Sequence, residues 1–151
     1  MTLQYEDIFS VFLDKITEYR FLKYDDNFTR SEMVSWLRTS SSSPRLRAKF
    51  NLFALNDVEA EFSFELKTSV DKYSDCEFVK DILARGMVIA WLEPQEKNVE
   101  LTMMMVGGKE EKYYSQSGHL KEIRASLDNA KIELNKLLRD YGYLNNSYIK
   151  E

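Results

Sequence analysis

The chain has 151 residues, a formal charge of −4 at pH 7 and a hydrophobic fraction of 44%. These values suit one folded domain over residues 1–151, and they argue against a general nucleic-acid-binding protein, which presents a basic face. The single cysteine, Cys76, excludes an intrachain disulfide and fits synthesis in the reducing cytoplasm. We expect no signal peptide and no membrane partner, because the most apolar stretch, 87–92, is far shorter than the ~20 residues that cross a bilayer.

Two amphipathic helices are predicted in the N-terminal third of the chain. Apolar residues recur at helical spacing over residues 4–20. A second helix is expected to begin at Thr29, because Thr29 and Glu32 have the spacing of a capping box, in which each side chain bonds a free backbone N–H. Serines 40–43 and Pro44 are predicted to end this helix.

Residues 45–66 allow two interpretations. Apolar residues alternate with mostly polar ones on both sides of residues 55–57, which is typical of a β-hairpin. Pairing Ala54 with Val58 then brings oppositely charged side chains together across the strands. These charged side chains are candidate interaction residues: Arg45, Arg47, Lys49, Glu59, Glu61 and Glu65. The alternative is a helix that starts with Ser43 as N-cap and Pro44 at the first position, and the alternation favours the hairpin.

A buried helix is expected between Ser74 and Pro94. Ser74 and Glu77 have the spacing of a second capping box, and Pro94 is predicted to close the segment. Apolar side chains cover much of its circumference, which indicates the most buried helix of the chain. Gly86 lies inside it, and a glycine there costs ~1 kcal/mol relative to alanine, so we expect close packing at this position. Residues 98–106 are compatible with a strand or a helix.

The last helix carries an apolar stripe with heptad spacing. Its members recur at alternating steps of three and four, as in a helix that packs lengthwise against another helix of the same chain or of a second copy. The stripe consists of Leu120, Ile123, Leu127, Ala130, Leu134, Leu137 and Tyr141. Ser117 is the expected N-cap, and Gly142 is placed to end the helix in the left-handed conformation. The expected fold is mainly α, a helical bundle with a long C-terminal helix and a β-hairpin at about 45–66.

The residues give no sign of catalysis, a cofactor or a metal site. His119 is the only histidine and has no cysteine or second histidine nearby, although zinc sites need several such ligands. Cys76 lies between two acidic residues, which disfavour a reactive thiolate. The segment 107–109, Gly-Gly-Lys, lacks the rest of a phosphate-binding loop. We therefore expect a protein that is not an enzyme.

Protein binding is the leading functional class. The methionines at 103–105 have either a core-filling or an adaptable surface role, and core filling is favoured. Residues 143–151 form a short C-terminal tail with aromatic and apolar side chains, which are common at protein interfaces. The candidate interaction residues of this tail are Tyr143, Leu144, Tyr148 and Ile149.

Two segments resemble a family of small structural proteins of tailed bacteriophages. Residues 86–95, GMVIAWLEPQ, match the pattern GMV-x-x-WL-x-PQ, and residues 114–124, YSQSGHLKEIR, match YSQ-x-x-HLKE-x-R. The final helix of that family also ends in a short aromatic segment, like residues 140–143 here. The resemblance covers about residues 74–143 and is to head-to-tail connector or neck proteins of the virion.

This resemblance implies a non-enzymatic virion protein, made in the host cytoplasm, that forms a homo-oligomeric ring beneath the portal. Its implied partners are the portal and other neck or tail proteins, with no sequence-specific nucleic acid. The hairpin would then be a projecting element that reaches a neighbouring subunit. The alternative function is a small regulatory or inhibitory binding protein, acting as a monomer or as a coiled-coil dimer through residues 120–141.

Overall fold

The computed structural model describes residues 1–17, 28–106 and 110–142, without the side chains of Val106 and residues 110–116. The elements run in the order β1 Thr2–Gln4, α1 Tyr5–Ile16, α2 Arg30–Ser41, α3 Pro44–Arg47, β2 Phe50–Asn56, β3 Glu61–Leu66, α4 Lys72–Val106 and α5 Glu110–Asp140. This mainly helical fold with a small antiparallel sheet confirms the expected fold class. No helix in the described ranges is long and apolar enough to cross a membrane.

The predicted hairpin is present, but its predicted register is wrong. The sheet has the order β1-β3-β2, and Ala54 pairs with Ser63 instead of Val58. Val58 lies outside the strands and is 93% exposed. A β-bulge between Phe50 and Leu52 interrupts the alternation, so that Phe50 is buried while Leu52 is 48% exposed. The apolar pattern of the sequence continues through this bulge and therefore misplaces the inward-facing side chains of β2.

Both interpretations of residues 45–66 hold in part. The hydroxyl of Ser43 accepts a hydrogen bond from the backbone N–H of Leu46, and Pro44 occupies the first turn of α3. This single helical turn ends at Arg47, and the chain enters β2 at Phe50. Ser43 and Pro44 thus start a helix as their residue types favour, but the helix is too short to replace the hairpin.

The strand β1 was not predicted. Residues 2 and 3 were expected to precede the first helix and residue 4 to begin it. Residues 2–4 pair with β3 instead. The N-terminal ammonium of Met1 donates to the carbonyl of Phe64 at 3.1 Å, and the N–H of Phe64 donates back at 2.9 Å. The N–H of Tyr5 then donates to the carbonyl of Ala60 at 2.9 Å, where α1 begins. Residues 18–20 of the predicted first helix lie outside the described residues.

The helix α2 is fixed near both of its ends. Thr29 is its N-cap, as predicted, with its hydroxyl accepting from the N–H of Glu32 at 3.1 Å. Close to the other end, the hydroxyl of Ser40 donates to the carbonyl of Leu83 in α4 at 3.1 Å. A Cβ added to Gly86 would lie 1.9 Å from the Ser40 Oγ, so the expected close packing at Gly86 is confirmed.

The helix α4 starts earlier than the sequence predicted. The carboxylate of Asp71 accepts from the N–H of Ser74 at 2.7 Å, which places the capping group three residues before the expected one. The predicted N-cap role of Ser74 is therefore wrong. Ser74 and Glu77 lie inside α4, which begins at Lys72.

Pro94 does not end α4, contrary to prediction. The helix continues through the proline and includes residues 98–106, which settles the choice between strand and helix there. Pro94 has no backbone N–H and therefore removes one hydrogen bond from the helix. At the adjacent position, the side-chain amide of Gln95 donates to the carbonyl of Trp91 at 3.3 Å. Burial does change at this point: residues 78–92 are mostly buried, whereas Val99 is the one buried residue in the stretch 93–105. Pro94 marks the exit of α4 from the core.

The helix α5 packs along α4, and the order of the ion pairs between them shows that it runs in the opposite direction. Ion pairs join the two helices along their length: Arg85–Glu133 at 2.6 Å, Lys131–Glu93 at 3.6 Å, and Arg124 with Glu96 at 3.2 Å and with Glu100 at 3.9 Å. The helix begins at Glu110, so the expected N-cap role of Ser117 is wrong. Gly142 follows the helix with φ +74°, which confirms the predicted left-handed ending.

Candidate interaction surfaces

The second half of α4 and the first half of α5 form a two-helix arm, which we define as residues 93–106 and 110–124. Within the described part of this arm, Val99, Leu120 and Ile123 are buried. On α4, Leu101, Met104 and Met105 are 57%, 75% and 87% exposed. The arm thus combines a buried seam with exposed apolar side chains on α4.

The favoured core-filling role of the three consecutive methionines is wrong for two of them. Met103 is partly buried and packs against the core cluster, while Met104 and Met105 are exposed. Helical geometry explains the difference, because consecutive residues are rotated by about 100° and only one of three neighbours can face α5. The exposed pair, together with Leu101, is a candidate interaction surface.

The heptad stripe of α5 lies on the side of the helix that is buried within the chain. Its first five members are buried, and Leu137 and Tyr141 are partly buried against the core. Leu138, which does not belong to the stripe, is 2% exposed. An ideal helix drifts from a seven-residue repeat, so the buried face moves from Leu134 to Leu138 towards the end of α5. A coiled-coil dimer would need the heptad stripe of α5 as its contact surface. In this fold α4 packs on that surface instead.

The six charged candidates of the hairpin do not form the predicted pairs across the strands. Arg45 and Arg47 lie on α3 instead of on a strand. The guanidinium of Arg47 donates to the carbonyl of Ser41 at 2.8 Å and lies 4.4 Å from the ring centre of Phe53. Lys49 donates to the carbonyl of Tyr141 at 3.5 Å, and its partial burial lowers the pKa of its ammonium group.

The acidic candidates lie in and after the hairpin turn. Glu59 and Glu65 are exposed. Glu61 pairs with Asn56 in the register of the sheet, and its carboxylate accepts from the side-chain amide of Gln4 at 3.0 Å. The hairpin therefore carries positive residues before β2 and acidic residues after it, separated by the length of the strand.

The tail candidates Tyr143, Leu144, Tyr148 and Ile149 lie outside the described residues. The described chain ends at Gly142, beside the open end of the hairpin. A Cβ added to Gly142 would lie 2.5 Å from the Thr68 Oγ1, so this glycine is required by space as well as by its φ angle.

A polar network that the sequence analysis missed fixes the hairpin turn. The hydroxyl of Tyr5 donates to the carboxylate of Asp57 at 2.6 Å, and Arg38 pairs with the same carboxylate at 2.7 Å. The bond from Tyr5, followed by that from Arg38, lowers the pKa of Asp57. Burial, followed by the bond to Asp57, raises the pKa of Tyr5. Because the three residues are far apart in the sequence, no local pattern could have revealed this network.

The outer edge of β2 was also missed. The hydrogen bonds exchanged by Met1 and Phe64 show that the backbone groups of Phe64 face β1. In an antiparallel sheet these directions alternate, so residues 63 and 65 face β2 and bond to residues 54 and 52. The same alternation turns the N–H and C=O groups of Phe53 and Leu55 away from β3. Among the described residues, β2 pairs with β3 alone and so leaves an open edge.

Neither a metal site among the described residues nor a similarity to known proteins adds a function to these surfaces. Within the described ranges, no group of three or more His, Cys, Asp or Glu side chains is arranged to hold a metal ion. Comparisons with protein-family models, curated proteins and solved structures found no match to this chain. The features of this chain that bear on its function are its exposed surfaces and the resemblance carried by residues 86–95 and 114–124.

Proposed function

We propose that this chain is a non-enzymatic structural protein of a tailed-phage virion, a ring-forming head-to-tail connector that docks beneath the portal. The observation that carries the proposal is the exposed apolar surface of the arm, formed by Leu101, Met104 and Met105. Neighbouring exposed apolar side chains are typical of protein-binding surfaces. Methionine adapts its shape to a partner because its side chain is unbranched and flexible.

The two segments that resemble neck proteins support the proposal by their positions. In the first segment, Met87, Val88, Trp91 and Leu92 are at most 5% exposed, so this segment forms the part of α4 embedded in the core. The second segment lies in the first half of α5 and ends at Arg124. Arg124 pairs at 3.2 Å with Glu96, the residue after the first segment. The first segment therefore runs from the core into the arm and the second lies within the arm, as expected for a scaffold that presents a binding surface.

The proposal is tested by quantitative mass spectrometry of purified virus particles from the source of this chain. The copies of this protein are counted against those of the portal protein. A near-equal or small-integer ratio is expected for a ring component of the neck. Absence from the particle would contradict the proposal and favour the small regulatory or inhibitory binding protein.

The role of the arm is tested by the double variant Met104→Asp and Met105→Asp. Both side chains are exposed, so the variant should keep the circular dichroism spectrum and thermal stability of the wild type. Charges on this surface should remove the protein from assembled particles, because a carboxylate buried at an interface needs a partner. The matched control is Ile132→Asp, which changes a 64% exposed residue of α5 outside the arm. Normal incorporation of the double variant would exclude the arm as the interface.

A further inference from the structure

We propose that the open edge of β2 pairs with the β2 edge of a second copy, joining two three-stranded sheets into one six-stranded sheet across a two-fold axis. The inference concerns the chain by itself and does not rest on the proposed virion role. It follows from three properties of β2, namely backbone groups that pair with no other described residue, its neutral side chains and the opposite charges at its two ends.

The backbone of β2 supplies the donors and acceptors for such pairing. The N–H and C=O groups of Phe53 and Leu55 point away from β3, as the alternation of hydrogen bonds in the sheet requires. A row of unpaired backbone groups on an edge strand is a template for another strand. Phe53 is the central residue of the seven in β2, so an antiparallel pairing centred on Phe53 overlaps the full length of both strands.

The side chains of β2 do not oppose this pairing. The strand reads FNLFALN and contains no charged residue, no proline and no glycine, although charged residues and proline are the usual protection of edge strands. With Phe53 at the centre, Leu52 lies opposite Ala54 of the partner subunit. Leu52 is 48% exposed and Ala54 is exposed, so a large and a small apolar side chain would cover each other twice across the axis.

The charges beside β2 favour the antiparallel direction and select a second copy as the occupant. Arg47 and Lys49 precede the strand, and Asp57 and Glu59 follow it. In a pairing centred on Phe53, the positive start of one strand lies at the acidic end of the other. Lys49 then lies opposite Asp57 of the partner subunit. A parallel arrangement would place like charges together at both ends and is disfavoured.

The first experiment measures the mass of the full-length chain by sedimentation velocity over a range of concentrations. A dimer that dissociates on dilution is expected. Leu52→Lys should raise the dimer dissociation constant roughly tenfold or more, because a two-fold contact receives the added charge twice. The control Ile132→Lys changes another exposed apolar residue, on α5, and should leave the constant unchanged. A wild-type chain that stays monomeric at every concentration would overturn the proposal.

The second experiment tests the register with cysteines in a Cys76→Ser background. Directly opposed residues in a non-hydrogen-bonded antiparallel pair have Cα atoms about 4.5 Å apart, which a disulfide can span. Mixing Leu52→Cys protein with Ala54→Cys protein should therefore give a cross-linked dimer on mild oxidation. Either variant alone should not, because each cysteine then meets its own copy only diagonally, at about 7–8 Å.

Two further outcomes of the cross-linking experiment would overturn the pairing of β2. A dimer whose mixed cysteine variants fail to cross-link uses another surface, and this would overturn the pairing of β2. Equal cross-linking in the single variants and in the mixture would show random collision and would also overturn it. None of these results depends on whether the protein is found in virus particles, so the inference and the proposed function fail separately.

Discussion

The hydroxyl of Tyr141, just after α5, donates a 2.6 Å hydrogen bond to the carboxylate of Asp75 in the first turn of α4. Asp75 has no exposed surface and also accepts from the hydroxyl of Ser69 and from the N–H of Val70. The ring of Tyr141 stacks on Phe78 at 3.8 Å with an interplanar angle of 5°. One side chain thus ties the end of α5 to the start of α4 by both polar and apolar contact.

Replacing Tyr141 by phenylalanine should destabilise the fold. The variant keeps the ring on Phe78 but leaves the buried carboxylate of Asp75 without one of its donors. An unsatisfied buried polar group costs about 1–3 kcal/mol, so the free energy of unfolding should fall by that amount in a urea titration. Tyr73→Phe is the matched control, because Tyr73 is 77% exposed and its change should stay within about 0.5 kcal/mol. Equal stabilities of the two variants would contradict this role of Tyr141.

The same contact should make stability depend on alkaline pH. Burial, followed by the bond to Asp75, raises the pKa of Tyr141 above its ordinary 10.0, so the folded protein keeps a proton that the unfolded chain releases. The resulting stabilisation is complete below pH 10 and is lost progressively as the pH rises above 10. Urea titrations from about pH 9 to about pH 11 should show a smaller loss for Tyr141→Phe than for the wild type. Identical pH profiles of the two proteins would contradict the link.

Two glycines inside helices should respond in opposite directions to alanine. In Gly86→Ala the new Cβ would meet the Ser40 Oγ at 1.9 Å and its Cβ at 2.8 Å, so α2 and α4 must move apart. Overpacking of this kind costs about 1–3 kcal/mol. In Gly118→Ala the new Cβ meets nothing within 4 Å, and the better helix former should stabilise α5 by about 0.5–1 kcal/mol. Thermal denaturation of both variants checks the signs, and a stabilising Gly86→Ala would refute the close crossing.

Local chemistry explains the features that the sequence alone predicted correctly. The hydroxyl of Thr29 needs only the N–H of Glu32, three residues away, to cap α2. Gly142 needs only a helix before it to adopt φ +74°. The missing side chain of Gly86 signalled a close neighbour, although the sequence did not identify Ser40 as that neighbour. Because these features depend on a few adjacent residues, the rest of the fold does not change them.

Tertiary contacts explain the features that were missed. The strand β1 exists because residues 2–4 pair with β3, about 60 positions away, and three residues carry no pattern of their own. The register of the hairpin was wrong because the turn comprises residues 57–60, between the paired Asn56 and Glu61, instead of residues 55–57. The sequence shows that β2 has no charged residue. Only the order of strands in the sheet shows that β2 lies at an edge.

The packing of α5 on α4 should be measurable with two isoleucines of that helix. Ile123 belongs to the heptad stripe and has no exposed surface, whereas Ile132 is 64% exposed on the same helix. Ile123→Ala removes buried methyl groups and leaves a cavity in the seam of the arm, which should lower the free energy of unfolding by about 2–5 kcal/mol. Ile132→Ala makes the same chemical change in solvent and should stay within about 0.5 kcal/mol of the wild type. Chemical denaturation of both variants gives the comparison. Similar losses from both would mean that Ile132 is also covered in solution, as in an oligomer, whereas no loss from Ile123→Ala would contradict the packing of the stripe.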